Sequence, residues 1–400
     1  MQNKSILIFG GGKIGRSFIG QLFGRAGYEI IFSDVDENLI DALNDRRSYP
    51  VVIKSDAGDE ILEVGNVRAV FGSEENVVRE VSQASIIATS VGKNVLGKIA
   101  PLMAKGLLAR YEKTPASAVD VLIAENMRSA SSFMREELLK RLPPAFPLDS
   151  FVGLVETSIG KMTPLMTQAD MAKDPLAVFT EPYNTLILDR AAFRTPIPEV
   201  QGLAPKENIA AWVDRKAFIH NLGHAAVAYY GNRRRPCATY IYEALEDPEC
   251  YDFARAVMRQ SAEILLAEYP SDFTRQSLES HIDDLLSRFQ NKALKDTLYR
   301  VGQDRIRKLG PDDRFMGAIR LAQKHNKDYS LIFEAMTYAF TFTATDENGN
   351  RSQPDMLFDE YLRKGKDYVL RHVCRMDTDG ELQFGQNNLP HLGNIDTNEG

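Results

Sequence analysis

Cysteine is scarce in this chain: Cys237, Cys250 and Cys374 are the three in 400 residues. An odd number without a CxxC spacing excludes a disulfide framework and points to free thiols in a reducing compartment. Histidine numbers six, and no HExxH or clustered His/Cys ligand set is present, so the sequence calls for no metal. No apolar run approaches the ~20 residues of a membrane span. The N-terminal run Ile6–Phe9 is too short for the core of a signal peptide. Positive charge is not in excess either. A net charge of −7 argues against nucleic acid, whose phosphates want a basic face, while a small anion needs only a local cluster of Arg and Lys. These absences leave a cytoplasmic protein that meets a small molecule, with neither a nucleic-acid nor a membrane partner.

What is present suits a soluble globular protein: 44% hydrophobic and 26% charged residues. Four hundred residues exceed one simple core and predict two domains. At the start, "SILIFGGGKIGRSFIG" runs from a buried strand into Gly10, Gly12 and Gly15, which satisfy G-x-G-x-x-G, with Lys13 and Ile14 between the last two. A helix to about Ala26 follows, and then "YEIIFSD", a second strand ending at Asp34, 19 residues after Gly15. Gly10 permits the tight turn, Gly12 lets backbone approach a pyrophosphate, and Gly15 allows close strand–helix packing. The helix N-terminus favours the phosphates. Asp34 would accept from the ribose hydroxyls and repel a 2′-phosphate, and no Arg follows in "DVDEN", so NAD is expected rather than NADP.

Further strands are expected at "VRAVFG", "ASIIATSVG", "VDVLIAEN" and "FVGLVETSIG", with two possible ones at "LAVFTEP" and "NTLILD". Their alternation with helices predicts an α/β, Rossmann-type doubly wound sheet over 1–195. Ligands then bind at the carboxyl ends of the strands, which selects Thr89, Ser90, Val91 and Gly92 after one strand and Glu125 and Asn126 after another. After the Pro-bearing stretch 194–205, apolar residues recur at three and four, which predicts a mainly α-helical C-terminal domain over 196–383. The segment 384–400 is rich in Asn and Gly and reads as a flexible tail.

The helical half opens with "DRKAFIHNLGHA", in which Lys216, Asn221 and His224 interrupt an apolar segment. On an α-helix, Asn221 lies about 140° round from Lys216 and His224 about 80°, so all three fit one arc. A buried lysine loses charge and can take a proton from an alcohol, an amide beside it can hold an alkoxide, and an imidazole can orient the hydroxyl. Each residue alone has a bland alternative, as a solvated face, a satisfied histidine or a surface amide.

Lys216-x4-Asn221-x2-His224, together with "FGGGKIGRSFIG", resembles the polyol-specific long-chain dehydrogenase/reductases, whose signature is K-x4-N-x2-H. "AENMRSA" around Asn126, "DPLAVFTE", "KIAPLMAKGL" and "YRVGQDRIRKLGPDDR" support it, and the sugar-phosphate branch of the family fits best. The resemblance implies metal-independent interconversion of D-mannitol 1-phosphate and D-fructose 6-phosphate with NAD. It makes Lys216 the general base, Asn221 and Asn126 an oxyanion site, and His224 the group that positions the reacting oxygen. The family's Val-Asp-Arg-Ile-x-Pro run is here Ile159-Gly160-Lys161-Met162-Thr163-Pro164, so an acid is missing and Lys161 lacks arginine's fork. Lys161, Arg307 and Lys308 are the expected substrate contacts. Arg300, Arg305, Arg314 and the run Arg233-Arg234-Arg235 are further phosphate candidates. A free hexitol or a hexuronate is the alternative substrate, and a non-catalytic NAD-binding sensor the alternative class. A monomer or small homo-oligomer is expected.

Overall fold

In the computed structural model, which describes residues 4–72, 74–164 and 166–376, the first apolar run is strand β1, Ser5–Phe9. Its side chains alternate: Ile6 and Ile8 enter one apolar cluster, Leu7 and Phe9 another. A strand covered on both faces reads as an unbroken apolar run because neither face meets water. Each such side chain contributes about 1.5–3 kcal/mol by burial.

The other strands are β2 (Glu29–Asp34), β3 (Ser48–Ser55), β4 (Gly58–Gly65), β5 (Val67–Phe71), β6 (Ile86–Thr89) and β7 (Val119–Ile123). They continue with β8 (Val152–Ile159), β9 (Val178–Thr180), β10 (Leu186–Asp189) and β11 (Leu203–Lys206). The main sheet has the order β11-β10-β8-β7-β6-β1-β2-β5. Its strands from β8 to β5 are parallel, β10 is antiparallel to β8, and β11 runs with β10. This is the expected α/β sheet, and its order reverses at β1, between β2 and β6, where such sheets bind ligands.

A hairpin, β3 with β4, joins β9 in a second small sheet that the sequence reading did not anticipate. Its runs "SYPVVIKS" and "GDEILEVG" meet at "DAG", a turn signal that would have found it. The hairpin braces the glycine turn: fully buried Tyr49 donates to the Arg16 carbonyl at 2.9 Å. Strand β11 overlaps the end of the Pro-bearing stretch and pairs Leu186 with Leu203, as an edge strand that tolerates Pro205. The chain divides into two compact units, one ending at Val213 and one beginning at Asp214. The tail expected over 384–400 lies outside the described residues.

The second unit is helical. Its helix Leu222–Arg234 packs against Pro248–Glu268, Ile241–Leu245 and Leu298–Gly302. From 218 to 229 every residue of this segment is buried except Asn221 and His224. That explains the apolar, Ala- and Gly-rich sequence: a helix covered nearly all round has no polar face to write. It is entered through a π-helical turn, Lys216–Asn221, in which the Leu222 amide reaches back five residues to the Ala217 carbonyl. From the neighbouring helix, buried Ser261 donates its hydroxyl to the Phe218 carbonyl at 2.6 Å. Ser261→Ala should lower stability by about 1–3 kcal/mol, the cost of deleting a buried hydrogen bond. Denaturant unfolding measures it, and an unchanged midpoint would show that the turn does not depend on this contact.

Candidate active site

The glycine turn of the first unit is closed by backbone contacts. Gly10 has φ +95°, and a Cβ on it would come 2.6 Å from the Ser90 carbonyl oxygen; one on Gly15 would come 2.1 Å from the Gly10 carbonyl oxygen. Only glycine fits both places. Gly12 differs, since a Cβ there would meet nothing within 4 Å. Gly12 and Lys13 are exposed, while Ile14 is half-buried against the first apolar cluster. Backbone open to solvent at the head of a helix is the form a pyrophosphate cradle takes. The helix itself begins with a second π turn, Gly15–Gly20. Buried Arg16 pins the turn by donating Nε to the Gly11 carbonyl at 2.7 Å and Nη1 to the Leu176 carbonyl at 2.5 Å.

Asp34 ends β2 beside this turn. Its Oδ2 accepts from the Gly11 amide at 2.6 Å, and its Oδ1 from the Val35 amide at 2.7 Å. The cap of the following helix is Asp36, not Asp34, with Asp36 Oδ1 accepting from the amides of Asn38 and Leu39. Two apolar side chains flank Asp34 in the open, Val35 at 80% exposure and Phe71 at 41%. The sequence reading missed both. A valine directly after a buried strand's acid was the available signal.

Thr89, buried at the end of β6, leads into Ser90, whose hydroxyl donates to the Gly10 carbonyl at 3.0 Å. The amides of Val91 and Gly92 donate to the Glu125 carboxylate at 2.9 and 2.8 Å. Glu125 therefore ties this loop to the end of β7, and Asn126 follows it directly. Burial raises the Glu125 carboxyl above the usual range, against those two amide bonds. Gly10, Gly12, Asp34, Thr89, Val91, Gly92 and Asn126 thus all gather at the carboxyl end of adjoining strands. Lys161 follows β8 but is buried, with Nζ 2.9 Å from Asn184 Oδ1 and 3.4 Å from Gln21 Oε1, over the Phe18 ring.

In the second unit the π turn decides the geometry. Backbone bonds running from i to i+5 bring residues five apart onto one side, so Asn221 comes closer round to Lys216 than an α-helix would place it. His224 then lies one turn beyond Asn221 in the α-helix. Lys216 is half-buried, and its pKa falls to about 8, first through burial and then through Arg314 and Arg307, with Asp313 opposing. His224 stacks on Phe289 with ring centroids 4.3 Å apart. Burial holds His224 below the usual histidine range and His220 well below it, so both are neutral at pH 7.

The basic segment 300–314 splits into separate tasks. Arg305 is fully buried and bound by Asp355 (2.9 Å), Asp359 (2.6 Å) and two carbonyls. Lys308 is buried, with its ammonium donating to the carbonyls of Val301 and Gln303. Arg300 pairs with Asp296 at 2.6 Å. Arg307 contacts Asp304 (2.6 Å) and Asp313 (3.1 Å), with 40% of its side chain exposed. Arg314 binds Asp313 at 2.8 Å and donates Nη1 to the Asn221 carbonyl at 3.2 Å, which ties it to the π turn. The run Arg233–Arg235 is exposed, and Arg234 pairs with Glu249 at 2.9 Å.

A glycine turn, an acid at the end of β2 and a doubly wound sheet joined to a helical unit define a Rossmann-type dehydrogenase. Comparison with known proteins gives the group. The Mannitol dehydrogenase Rossmann domain matches residues 4–202, and the Mannitol dehydrogenase C-terminal domain matches 208–371. Mannitol-1-phosphate 5-dehydrogenase of Streptococcus mutans is 33% identical over 354 residues, covering 87% of this chain and 90% of that protein. Octopine dehydrogenase in complex with NADH and agmatine has a TM-score of 0.52 at 11% identity, covering 93% of this chain and 95% of its own, a likeness of fold alone. The chain belongs to the mannitol dehydrogenase family and is an oxidoreductase of the polyol dehydrogenase class. No helix among the described residues is long and apolar enough to cross a membrane.

The cationic neighbours of Lys216 make a direct prediction. Arg314→Met should raise the pKa of Lys216 above its value of about 8, because a repelling charge is removed and Asp313 is left less neutralised. Its amine would then react with an acylating reagent only at higher pH. A lysine-specific modification profile that does not move would separate Arg314 from Lys216.

Proposed function

We propose that this protein interconverts D-mannitol 1-phosphate and D-fructose 6-phosphate with NAD, using Lys216 as the general base. The observation that carries the reading is Lys216, half-buried, lowered to about 8, on the same π turn as Asn221. The likeness to a mannitol-1-phosphate 5-dehydrogenase supports the substrate.

The residues present fit a dinucleotide. Gly10, Gly12, Lys13, Ile14 and Gly15 would hold its pyrophosphate, Asp34 its ribose, and the loop Thr89, Val91 and Gly92 its nicotinamide end. Asp34, held by backbone amides where the ribose would lie, is the reason for NAD over NADP. Bound NAD supplies the hydride acceptor. Neutral Lys216 takes the proton of the reacting hydroxyl, Asn221 donates to the oxygen as it becomes an alkoxide, and His224 orients it. Asn126 is the proposed amide donor of the first unit. In the reduction direction, Lys216 in its ammonium form returns the proton to the same oxygen.

Lys161, Arg307 and Lys308 remain the proposed substrate contacts, with Arg307 first for a phosphate because it is the most exposed of the three. One observation favours a second substrate class. Lys161 and Lys308 are both buried, with hydrogen bonds to an amide oxygen and to backbone carbonyls, which leaves less cationic surface for an anion and suits a free hexitol.

NADH consumption, followed in EDTA with fructose 6-phosphate, fructose, fructuronate and tagaturonate, separates the readings. Activity confined to fructose 6-phosphate is expected; activity confined to an unphosphorylated compound would move the substrate. Lys216→Ala should cut turnover roughly 10²–10⁴-fold with NADH binding intact, and wild-type turnover would remove the base from Lys216. Asp34→Ala should narrow the preference for NADH over NADPH; an unchanged ratio of kcat/KM values would show that Asp34 does not read the ribose.

A further inference from the structure

Beyond the Lys-Asn-His set, one buried carboxylate points at the reaction. Asp296 is 7% exposed, and its Oδ2 lies 3.2 Å from His224 Nε2. Both atoms are buried, and neither makes a well-formed hydrogen bond as the side chains stand. Catalytic hydrogen bonds are often misaligned before substrate arrives and tighten afterwards. Asp296 is anchored from behind. Arg300 Nε donates to its Oδ1 at 2.6 Å, Arg300 Nη2 lies 2.6 Å from Oδ2, and the Asp296 carbonyl accepts from the Ile241 amide at 2.8 Å. The imidazole is held flat on Phe289, with the ring planes 8° apart.

A neutral imidazole has one N–H and one lone pair, and whatever faces one nitrogen settles the other. Burial opposes the charge of Asp296, but His224 and Arg300 outweigh it and hold the carboxyl at about 2, so it only accepts. Nε2 must then carry the ring proton. We infer that Asp296 is a positioning residue: it fixes the His224 proton on Nε2 and leaves Nδ1 to accept from a substrate hydroxyl beside the reacting one, whose own proton goes to Lys216. This rests on the proposed role of His224. Without Asp296 the ring would populate both tautomers, and the fraction with N–H on Nδ1 would present a donor where that neighbouring hydroxyl needs an acceptor. The order of contacts is Arg300 to Asp296 to His224 to substrate, and only His224 touches the substrate.

The test uses the full chain with NADH bound and histidine labelled with ¹⁵N. Long-range ¹H–¹⁵N correlation should show His224 protonated on Nε2 in the wild type and shifted towards the Nδ1–H form in Asp296→Asn. Turnover in that variant should fall roughly 10–100-fold, as for loss of a partner that orients a catalytic ring, with the Kd for NADH unchanged. Asp296→Glu, which keeps the charge, should recover part of the loss, and it also serves if the asparagine variant does not fold. An unchanged tautomer, or wild-type turnover in Asp296→Asn while His224→Ala is impaired, overturns the inference alone. Wild-type turnover in His224→Ala overturns the role of His224, and the inference with it.

Discussion

The π turn at Lys216–Asn221 is the constraint on which the second unit's chemistry depends. An α-helix spaced K-x4-N would splay the lysine and the amide about 140° apart. Widening one turn to i→i+5 bonding brings them onto one side at the cost of poorer backbone geometry. That cost is met by neighbours rather than by the turn itself. Ser261 reaches the Phe218 carbonyl and Arg314 reaches the Asn221 carbonyl, each from a different helix. Phe218, Ile219 and His220 are buried beneath, so the turn cannot relax without losing packing. The glycine turn of the first unit also opens its helix through a π turn, Gly15–Gly20, braced in the same way by Arg16 and Tyr49. In both units the irregular turn stands where the sequence places its chemistry.

The basic segment shows how acids assign tasks to cations. Arg305 has two carboxylates and two carbonyls around it and is wholly buried; a guanidinium so paired is structural, and removing a partner would leave an uncompensated charge. Arg314 and Arg307 share Asp313 near Lys216, and Arg307 also pairs with Asp304. The nearness of the two guanidiniums to Lys216 has two consequences with one cause. It destabilises the ammonium of Lys216, and it would favour an anionic group on the substrate.

Much of this was legible in the sequence, and the failures have physical reasons. Unbroken apolar runs ending in Gly10 and Asp34 carried the sheet and the glycine turn, because strands buried on both faces have one way to be written. The hairpin β3–β4 escaped because a half-exposed sheet alternates only weakly, and β11 because its proline hid an edge strand. The K-x4-N-x2-H spacing was visible, and α-helical geometry already put the three within one arc, but the π turn that narrows it was not, since a single π turn leaves no periodic signal. Which arginines are structural could not be read from "RIRKLGPDDR". The deciding partners, Asp355 and Asp359, lie some fifty residues away in sequence. Asp296 escaped for the same reason: it meets His224 only through the fold.

Burial of this helix also explains why its polar residues suit proton transfer. A lysine at its ordinary 10.5 is neutral at pH 7 in about three molecules in ten thousand; at about 8 the fraction is about one in ten. The gain in available base is some hundreds-fold, and it comes from the same apolar packing that makes the helix central. A solvated lysine on a surface helix would keep its charge. A deeply buried one without cations nearby would depend on desolvation alone, and full burial would close it to substrate. Half-burial with Arg314 and Arg307 alongside reaches the working range. The imidazole follows the same logic with the opposite need. In its proposed role His224 must stay neutral, which burial favours, and Asp296 would settle which nitrogen accepts.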